Sequence, residues 1–384
     1  MHNWKMTTIA ECSTILGDGL HGTPKYDAAG EYAFINGNNL DNGHIAIKTD
    51  TKRVGRSEYE KHKKNLTDRT VLVSINGTLG NVAVYNGEKV ILGKSACYFN
   101  VAENCDVQFM RYVVSSPRFK QYINSVATGT TIKNVSLKQM REYAFAIPDL
   151  AEQKRIARVL YALDQKIDTN RQINDNLYDL LQSVYQLQFG VTSGNAAEGT
   201  LSDICSYTKD RIAVSELSLG NYYSTENMLP GKAGFTEAAS LPTTPQTTRC
   251  NAGDVLVSNI RPYFKKIVLC QSGGGCSTDV LCFAPKAPAY SAYLFCTLYA
   301  DRFFDFMVTG SKGTKMPRGD KQQIMTYPVY TPTESEFTAF ADFATPILSQ
   351  IHNNNEENAR LAQLRDTLLP KLMSGEIDVS TIDI

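Results

Sequence analysis

The chain has 384 residues, with 39 Lys plus Arg balanced by 39 Asp plus Glu, 42% apolar and 20% charged residues. This length suits two to three domains at roughly 100–200 residues each, and the composition excludes wholesale disorder and collagen-like repetition. A net charge of zero confines any nucleic-acid-binding surface to local patches.

The opening MHNWKMTTIAECSTIL lacks the apolar core and small-residue cleavage site of a signal peptide. No apolar run approaches the ~20 residues that span a bilayer. Nine scattered cysteines without a C-x-x-C pair fit reduced thiols and neither a disulfide framework nor a zinc site. These features together predict a cytoplasmic protein.

Residues 1–148 carry short β-like runs (VLVSI at 71, NVAVY at 81) between Gly- and Asn-rich turns. After Pro148, Asp149 and Glu152 form a D-x-x-E capping box, and a helical stretch over 149–190, without Gly until Gly190, follows. The small, polar segment 191–199 reads as a linker. Residues 200–332 return to short strands (KIVLC at 266), 333–375 to a long helix, and 376–384 to a tail.

The second half repeats the first. An offset of 184 residues lays VLVS at 71–74 on VLVS at 255–258, Arg118-Phe119 on Arg302-Phe303, and Gly129-Thr130 on Gly313-Thr314. It also superposes Pro148 on Pro332, Glu152 on Glu336, Asn170 on Asn354 and Asn174 on Asn358. Nearer the start the offset drifts to 192, where Ile9-Ala10-Glu11 resembles Leu201-Ser202-Asp203. Duplication is the simplest reading.

Both helical stretches carry a heptad seam. Positions 156, 160, 163, 167, 170, 174, 177, 181, 184 and 188 read Ile, Leu, Leu, Ile, Asn, Asn, Leu, Leu, Val, Gln. The equivalents in the second helix are Phe340, Ala344, Ile347, Ile351, Asn354, Asn358, Leu361, Arg365, Leu368 and Leu372. Each seam either packs on its own domain or pairs with the other helix. In an antiparallel pair Asn170 lies opposite Asn358 and Asn174 opposite Asn354, a matching that fixes register because a buried amide needs a partner. About 37 residues at ~1.5 Å each make a spacer of roughly 55 Å. Pro346 predicts a kink or a separate short helix at the start of the second stretch.

Two related domains on a rigid spacer suit duplex DNA, whose half-sites would lie within about 16 base pairs at ~3.4 Å each. Local charge agrees. Residues 51–69 hold Lys52, Arg53, Arg56, Lys61, His62, Lys63, Lys64 and Arg69 against Glu58, Glu60 and Asp68. Arg261, Lys265 and Lys266 surround IRPYFKK, and TGSKGTKMPRGDK adds Lys312, Lys315, Arg318 and Lys321. Gly-rich loops with Lys, Arg, Asn and Thr approach phosphates, while Arg and Asn read base edges; the plainer alternative for any one run is a solvated charged face. Candidate DNA-binding residues, chosen on charge and loop position, are Arg53, Lys63, Lys64, Asn76, Thr78, Lys133 and Asn134 in the first domain. In the second they are Arg261, Lys265, Lys312, Lys315 and Arg318.

Catalytic motifs are missing. GEKVILGKS at 87–95 has five residues between Gly87 and Gly93 where a P-loop has four. PDLAEQK at 148–154 mimics a nuclease signature, yet the capping box accounts for its acids. There is no H-E-x-x-H, no G-x-S-x-G and no opening G-x-G-x-x-G, and the five histidines are dispersed.

The duplication, TGTTIKNVSLKQMREYAFAIPDLAEQKRIARVLYALDQKID at 128–168 and LRDTLLPKLMSGEID at 364–378 resemble the specificity (S) subunit of type I restriction-modification enzymes. The resemblance implies an α+β chain: two mixed α/β target-recognition domains separated by a pair of long antiparallel coiled-coil helices. It also implies a non-catalytic role, in which each domain reads half of a split DNA site. The helices would set the spacer and dock two modification subunits. By the same resemblance S-adenosylmethionine belongs to those subunits, ATP and Mg²⁺ belong to restriction subunits, and this chain holds no cofactor and no metal. The second copy departs from the pattern in reading ESEF at 334–337 where the first has E-Q-K-R. The competing reading is a coiled-coil protein-interaction scaffold without a DNA role.

Overall fold

The computed structural model describes residues 4–190 and 199–380, so most of the expected linker 191–199 and the end of the tail lie outside the described residues. The chain divides into two compact units, one of residues 1–168 with 358–384 and the other of residues 169–357. Each therefore contains a mixed domain and half of each long helix.

The first unit is built on a four-stranded antiparallel sheet in the order Ser13–Asp18, Ala96–Val101, Thr70–Ser74, Val82–Val84. Its central strand TVLVS is buried along its whole length. This is why it reads as a continuous β-branched run instead of an alternating one. A three-stranded sheet flanks it, with Tyr32–Ile35 parallel to Val90–Leu92 and antiparallel to Arg53–Val54. Three short helices follow, and their sequences cap them. Asp106 accepts from the Phe109 amide (2.8 Å) ahead of Val107–Ser115. Ser116 does the same for Pro117–Val126, with Pro at the first position. Ser136 and Gln139 form a capping box on Leu137–Glu142.

The second unit repeats this plan. Its four-stranded sheet runs Cys205–Tyr207, Val280–Pro285, Val255–Ser258, Ile267–Leu269. The strand Gly274–Cys276 pairs in parallel with Tyr222–Tyr223, as Val90–Leu92 does with Tyr32–Ile35. Helices Tyr290–Tyr299, Asp301–Thr309 and Lys321–Met325 occupy the places of the first unit's three. The long helices, Leu150–Phe189 and Glu334–Met373, keep the 184-residue offset at both ends. Both begin with a capping box: Asp149 accepts from the Glu152 amide (2.9 Å), and Thr333 exchanges bonds with Glu336.

The two alternatives for the seam are both realised. In the first unit Ile156, Leu160, Leu369 and Leu372 join the same core as Phe99, Phe109 and Phe119. In the second, Leu181, Tyr185, Phe189, Phe337, Phe340, Ala344 and Leu348 join Phe283, Tyr293 and Phe303. Each unit's two helix halves thus pack on their own domain and on each other. Towards the C-terminal end of the first long helix the buried positions depart from the strict heptad: Gln188 is exposed while Tyr185 and Phe189 are buried. A straight helix has 3.6 residues per turn and drifts from a 3.5-residue repeat.

Two expectations require correction. Pro346 does not set off a separate helix, since Glu334–Met373 is continuous. The proline costs one backbone bond, and buried Phe340, Ala344, Leu348 and Ile351 on either side hold the helix against its neighbours. The tail does not hang free over its described part, because Val379 is fully buried and Ile377 packs against the first core.

Candidate nucleic-acid interface

In each unit the VLVS strand runs into a loop that is laced by main-chain hydrogen bonds to a second loop, just before the short helix that precedes the long one. In the first unit the second loop is closed by a reciprocal pair. The Thr128 amide donates to the Asn134 carbonyl (2.9 Å), and the Asn134 amide donates back to Thr128 (2.8 Å). Residues 129–133 project beyond this clamp. Gly129 makes it feasible: its φ is +95°, and a Cβ there would lie 2.3 Å from the Ile132 carbonyl oxygen. The first loop is tied on by Gly77 donating to the Lys133 carbonyl (2.9 Å) and Val135 donating to Ile75 (2.9 Å). The Asn76 side-chain amide donates to Asn134 Oδ1 (3.1 Å).

The second unit reproduces the main-chain bonds residue for residue. Lys312 and Arg318 exchange amide–carbonyl bonds (2.9 Å each), Arg261 donates to Pro317 (2.8 Å), and Gly319 donates to Asn259 (3.3 Å). Gly313 has φ +100°, matching Gly129. Where the first unit has Gly77 at φ +77°, the second has Arg261 at φ +50°. A non-glycine in the left-handed region costs roughly 1–3 kcal/mol and persists where the surroundings impose it. Buried Arg261 Nε and Asn259 Oδ1 have no hydrogen-bond partner among the described residues. Such orphans are rare in folded proteins.

The structure sorts the candidate residues. It brings Asn76, Thr78, Lys133 and Asn134 together on the first unit's paired loops, and Arg261, Lys312, Lys315 and Arg318 on the second's. Lys133 Nζ reaches Asn124 Oδ1 (3.3 Å). Lys315 forms no ion pair among the described residues, whereas Lys312 meets Asp320 (2.7 Å) and Arg318 Nε meets Asp279 Oδ1 (3.1 Å). The Asp320 hydrogen bond raises the Lys312 pKa, and Lys312 in turn lowers that of Asp320. These pairs are exposed and exchangeable, so both cations stay available to a phosphate at small cost. Lys265 ends the 3₁₀ turn Pro262–Phe264 and shares Asp301 with Lys232 (3.0 and 2.7 Å).

Arg53, Lys63 and Lys64 belong elsewhere. Arg53 lies on a strand edge with its guanidinium on the Glu31 carbonyl (3.3 Å). Lys63 ends the helix Arg56–His62 and pairs with Glu60 (2.5 Å), whose hydrogen bond raises its pKa. No hydrogen bond or ion pair among the described residues links these three to the clamped loop. Within the same helix His62 pairs with Glu58 (2.9 Å).

Along the helices, Asn354 Nδ2 donates to Asn174 Oδ1 (2.7 Å), and Asn174 Nδ2 donates to Asn355 Oδ1 (2.9 Å). Asn170 Nδ2 donates to Glu357 Oε2 (2.7 Å), one position from the expected Asn358. All three amides of Asn170, Asn174 and Asn354 are buried.

Sequence reasoning missed a buried ionic cluster in the first unit. Asp164 accepts from Arg111 Nη2 (2.8 Å), the Tyr112 hydroxyl (2.6 Å) and Arg365 Nη1 (2.8 Å). Burial pushes the Tyr112 hydroxyl pKa up, which keeps it a donor. The signal was present in Asp164 and Arg365 sitting at or beside seam positions, but their common partner comes from far away in sequence. Among the described residues no group of three or more His, Cys, Asp or Glu is placed to hold a metal, and no helix is long and apolar enough to cross a membrane.

Residues 1–178 match the family described as type I restriction modification DNA specificity domain. A protein of Mycoplasma pneumoniae named as a type I specificity subunit is 27% identical over 156 residues, covering 38% of this chain and 36% of the relative. The MjaIX type I restriction enzyme specificity subunit of Methanocaldococcus jannaschii is 20% identical over 392 residues, covering 94% of this chain and 87% of the relative. The crystal structure of the type I restriction-modification S subunit from M. genitalium superposes with a TM-score of 0.57 at 21% identity. It covers 97% of this chain and 96% of that one, and the likeness establishes the shared fold.

Proposed function

From the match of residues 1–178 to the type I restriction modification DNA specificity domain family we propose that the chain is the DNA-reading subunit of a type I modification and restriction complex. Its two mixed domains, 1–148 and 200–332, act as target-recognition domains, each reading one half of a split duplex site. The observation that carries this is the clamped loop pair. The same backbone scaffold stands in both units, yet it displays different polar and cationic side chains: Asn76, Lys133 and Asn134 in one, Arg261, Lys315 and Arg318 in the other. One scaffold with two side-chain sets suits two unlike half-sites.

The helix pair serves as the spacer between half-sites and as the docking surface for two modification subunits. The buried Asn174–Asn354 pair supports this, since it ties the helices at one register. The chain itself performs no chemistry: S-adenosylmethionine is bound by the modification subunits, and ATP and Mg²⁺ by restriction subunits.

The test is a base-modification map of host DNA by direct long-read sequencing, with and without the gene. Loss of methylation at a split motif, two short blocks around a fixed gap, is the expected result. If no motif changes and the assembled complex shows no salt-dependent DNA affinity, the chain is a protein-interaction scaffold instead.

A further inference from the structure

The tips of the two clamped loops carry an apolar side chain at the same place. Ile132 is 60% exposed and Met316 49% exposed, and they are equivalent under the 184-residue offset. Around them the loops differ, with Thr131 against Lys315, Lys133 against Pro317, and Asn134 against Arg318. Neither tip joins a hydrophobic core of the chain. One exposed apolar residue needs no explanation; the same exposed apolar position on two glycine-hinged, doubly clamped loops does.

We propose that Ile132 and Met316 are specificity-determining residues that lay apolar side chains against base edges in the DNA groove, one in each half-site. This rests on the DNA-reading function above. The flanking Lys133, Lys315 and Arg318 can hold phosphates on either side of the tip. A phosphate gives an isoleucine or methionine nothing, whereas the major groove offers an apolar partner in the C5 edge of pyrimidines, best met by the thymine methyl group. The clamp matters for precision. Its paired amide–carbonyl bonds fix the tip, so little ordering entropy is lost on contact.

The experiment uses the complex assembled with its modification subunits and selects bound sequences from a randomised duplex pool. Ile132→Ser should relax preference at one or two adjacent positions of one half-site, and Met316→Ser at positions of the other. Each should lower affinity for the wild-type sequence on the order of tenfold. Affinity for unrelated DNA and the slope of log affinity against log salt should stay unchanged, because no phosphate contact is removed. Ile132→Val and Met316→Leu should retain wild-type preferences, which separates loss of apolar contact from loss of the loop. Serine variants that select the wild-type site with full affinity would overturn the proposal and leave the DNA-reading function standing. A uniform loss with an altered salt slope would overturn it too, by showing that the tips act through phosphate positioning. A wild-type complex that selects no sequence would remove both readings.

Discussion

Asp164 offers the sharpest test of the packing between helix and domain. Its carboxylate and the Arg111 side chain are each 7% exposed, and Arg365 is 21% exposed. Two guanidiniums and one phenol converge on the two carboxylate oxygens at 2.6–2.8 Å. Replacing Asp164 by Ala leaves Arg111 buried without a counter-charge, while half-buried Arg365 keeps Asp366 (2.8 Å), and about 3–5 kcal/mol is the expected cost of breaking such a buried pair. In a unit of 150–250 residues each kcal/mol moves the melting temperature by roughly 2–4 °C. The first unit's transition should therefore fall by about 6–20 °C in calorimetry, fitted separately from the second because the units need not melt together.

The repeat supplies a control. Under the 184-residue offset Arg111, Asp164 and Arg365 correspond to Phe295, Leu348 and Leu181, all buried in the second core. The second unit fills the same junction with hydrocarbon. Transplanting that solution, as the triple variant Arg111→Phe, Asp164→Leu, Arg365→Leu, should recover much of the Asp164→Ala loss, since an apolar cluster avoids the desolvation of three charges and only the Tyr112 hydroxyl is left without its partners. An Asp164→Ala transition within about 2 °C of wild type would refute this account of the cluster. So would a triple variant no better than the single.

Further predictions concern the loops and the helices. Arg318→Ala and Lys133→Ala should weaken DNA binding uniformly across sequences and each lower the salt slope by about 1, as filter binding over a salt series would show. Gly129→Ala places a Cβ 2.3 Å from the Ile132 carbonyl oxygen at φ +95°, so it should impair half-site reading while complex assembly, followed by size exclusion, stays intact. Asn174→Leu should cost about 1–3 kcal/mol in urea unfolding because Asn354 loses its buried partner, and adding Asn354→Leu should recover most of that loss. Inserting seven residues after Gln172 and after Glu356 should lengthen the DNA gap by about 3 base pairs, at ~1.5 Å per helical residue and ~3.4 Å per base pair. A modification map with the gap unchanged would count against the spacer.

Much of this was legible because it depends on local signals. The capping boxes at Asp149 and Thr333, the fully buried VLVS strands and the Gly-Thr loops announce themselves within a few residues. The seam was readable at its middle, where Asn174 meets Asn354, and at both helix starts, where Ile156, Leu160, Phe340 and Ala344 are buried; towards the C-terminal ends straight-helix drift adds Tyr185, Phe189 and Leu369 to the buried set. Charge density selects Arg53, Lys63 and Lys64, which no hydrogen bond or ion pair among the described residues links to the clamped loops; Lys63 pairs with Glu60 three residues away. The Asp164 cluster and the orphaned Asn259 and Arg261 atoms were invisible for another reason. Each depends on which distant segments converge, and no spacing rule records that.

Under the proposed function, the two loops let one duplicated plan present two unlike sets of side chains. The bonds that hold them are almost all main chain to main chain: 128 with 134, 77 with 133, 135 with 75, and their equivalents 312 with 318, 261 with 317, 319 with 259. Such bonds do not depend on side-chain identity, except where a glycine hinge must adopt positive φ. Side chains on the scaffold can therefore change without dismantling it, as Asn76 against Ile260, Lys133 against Pro317 and Asn134 against Arg318 demonstrate. Even the left-handed position tolerates exchange, Gly77 for Arg261, at the expense of backbone strain. Under the proposed function, a new half-site then needs changes to side chains alone.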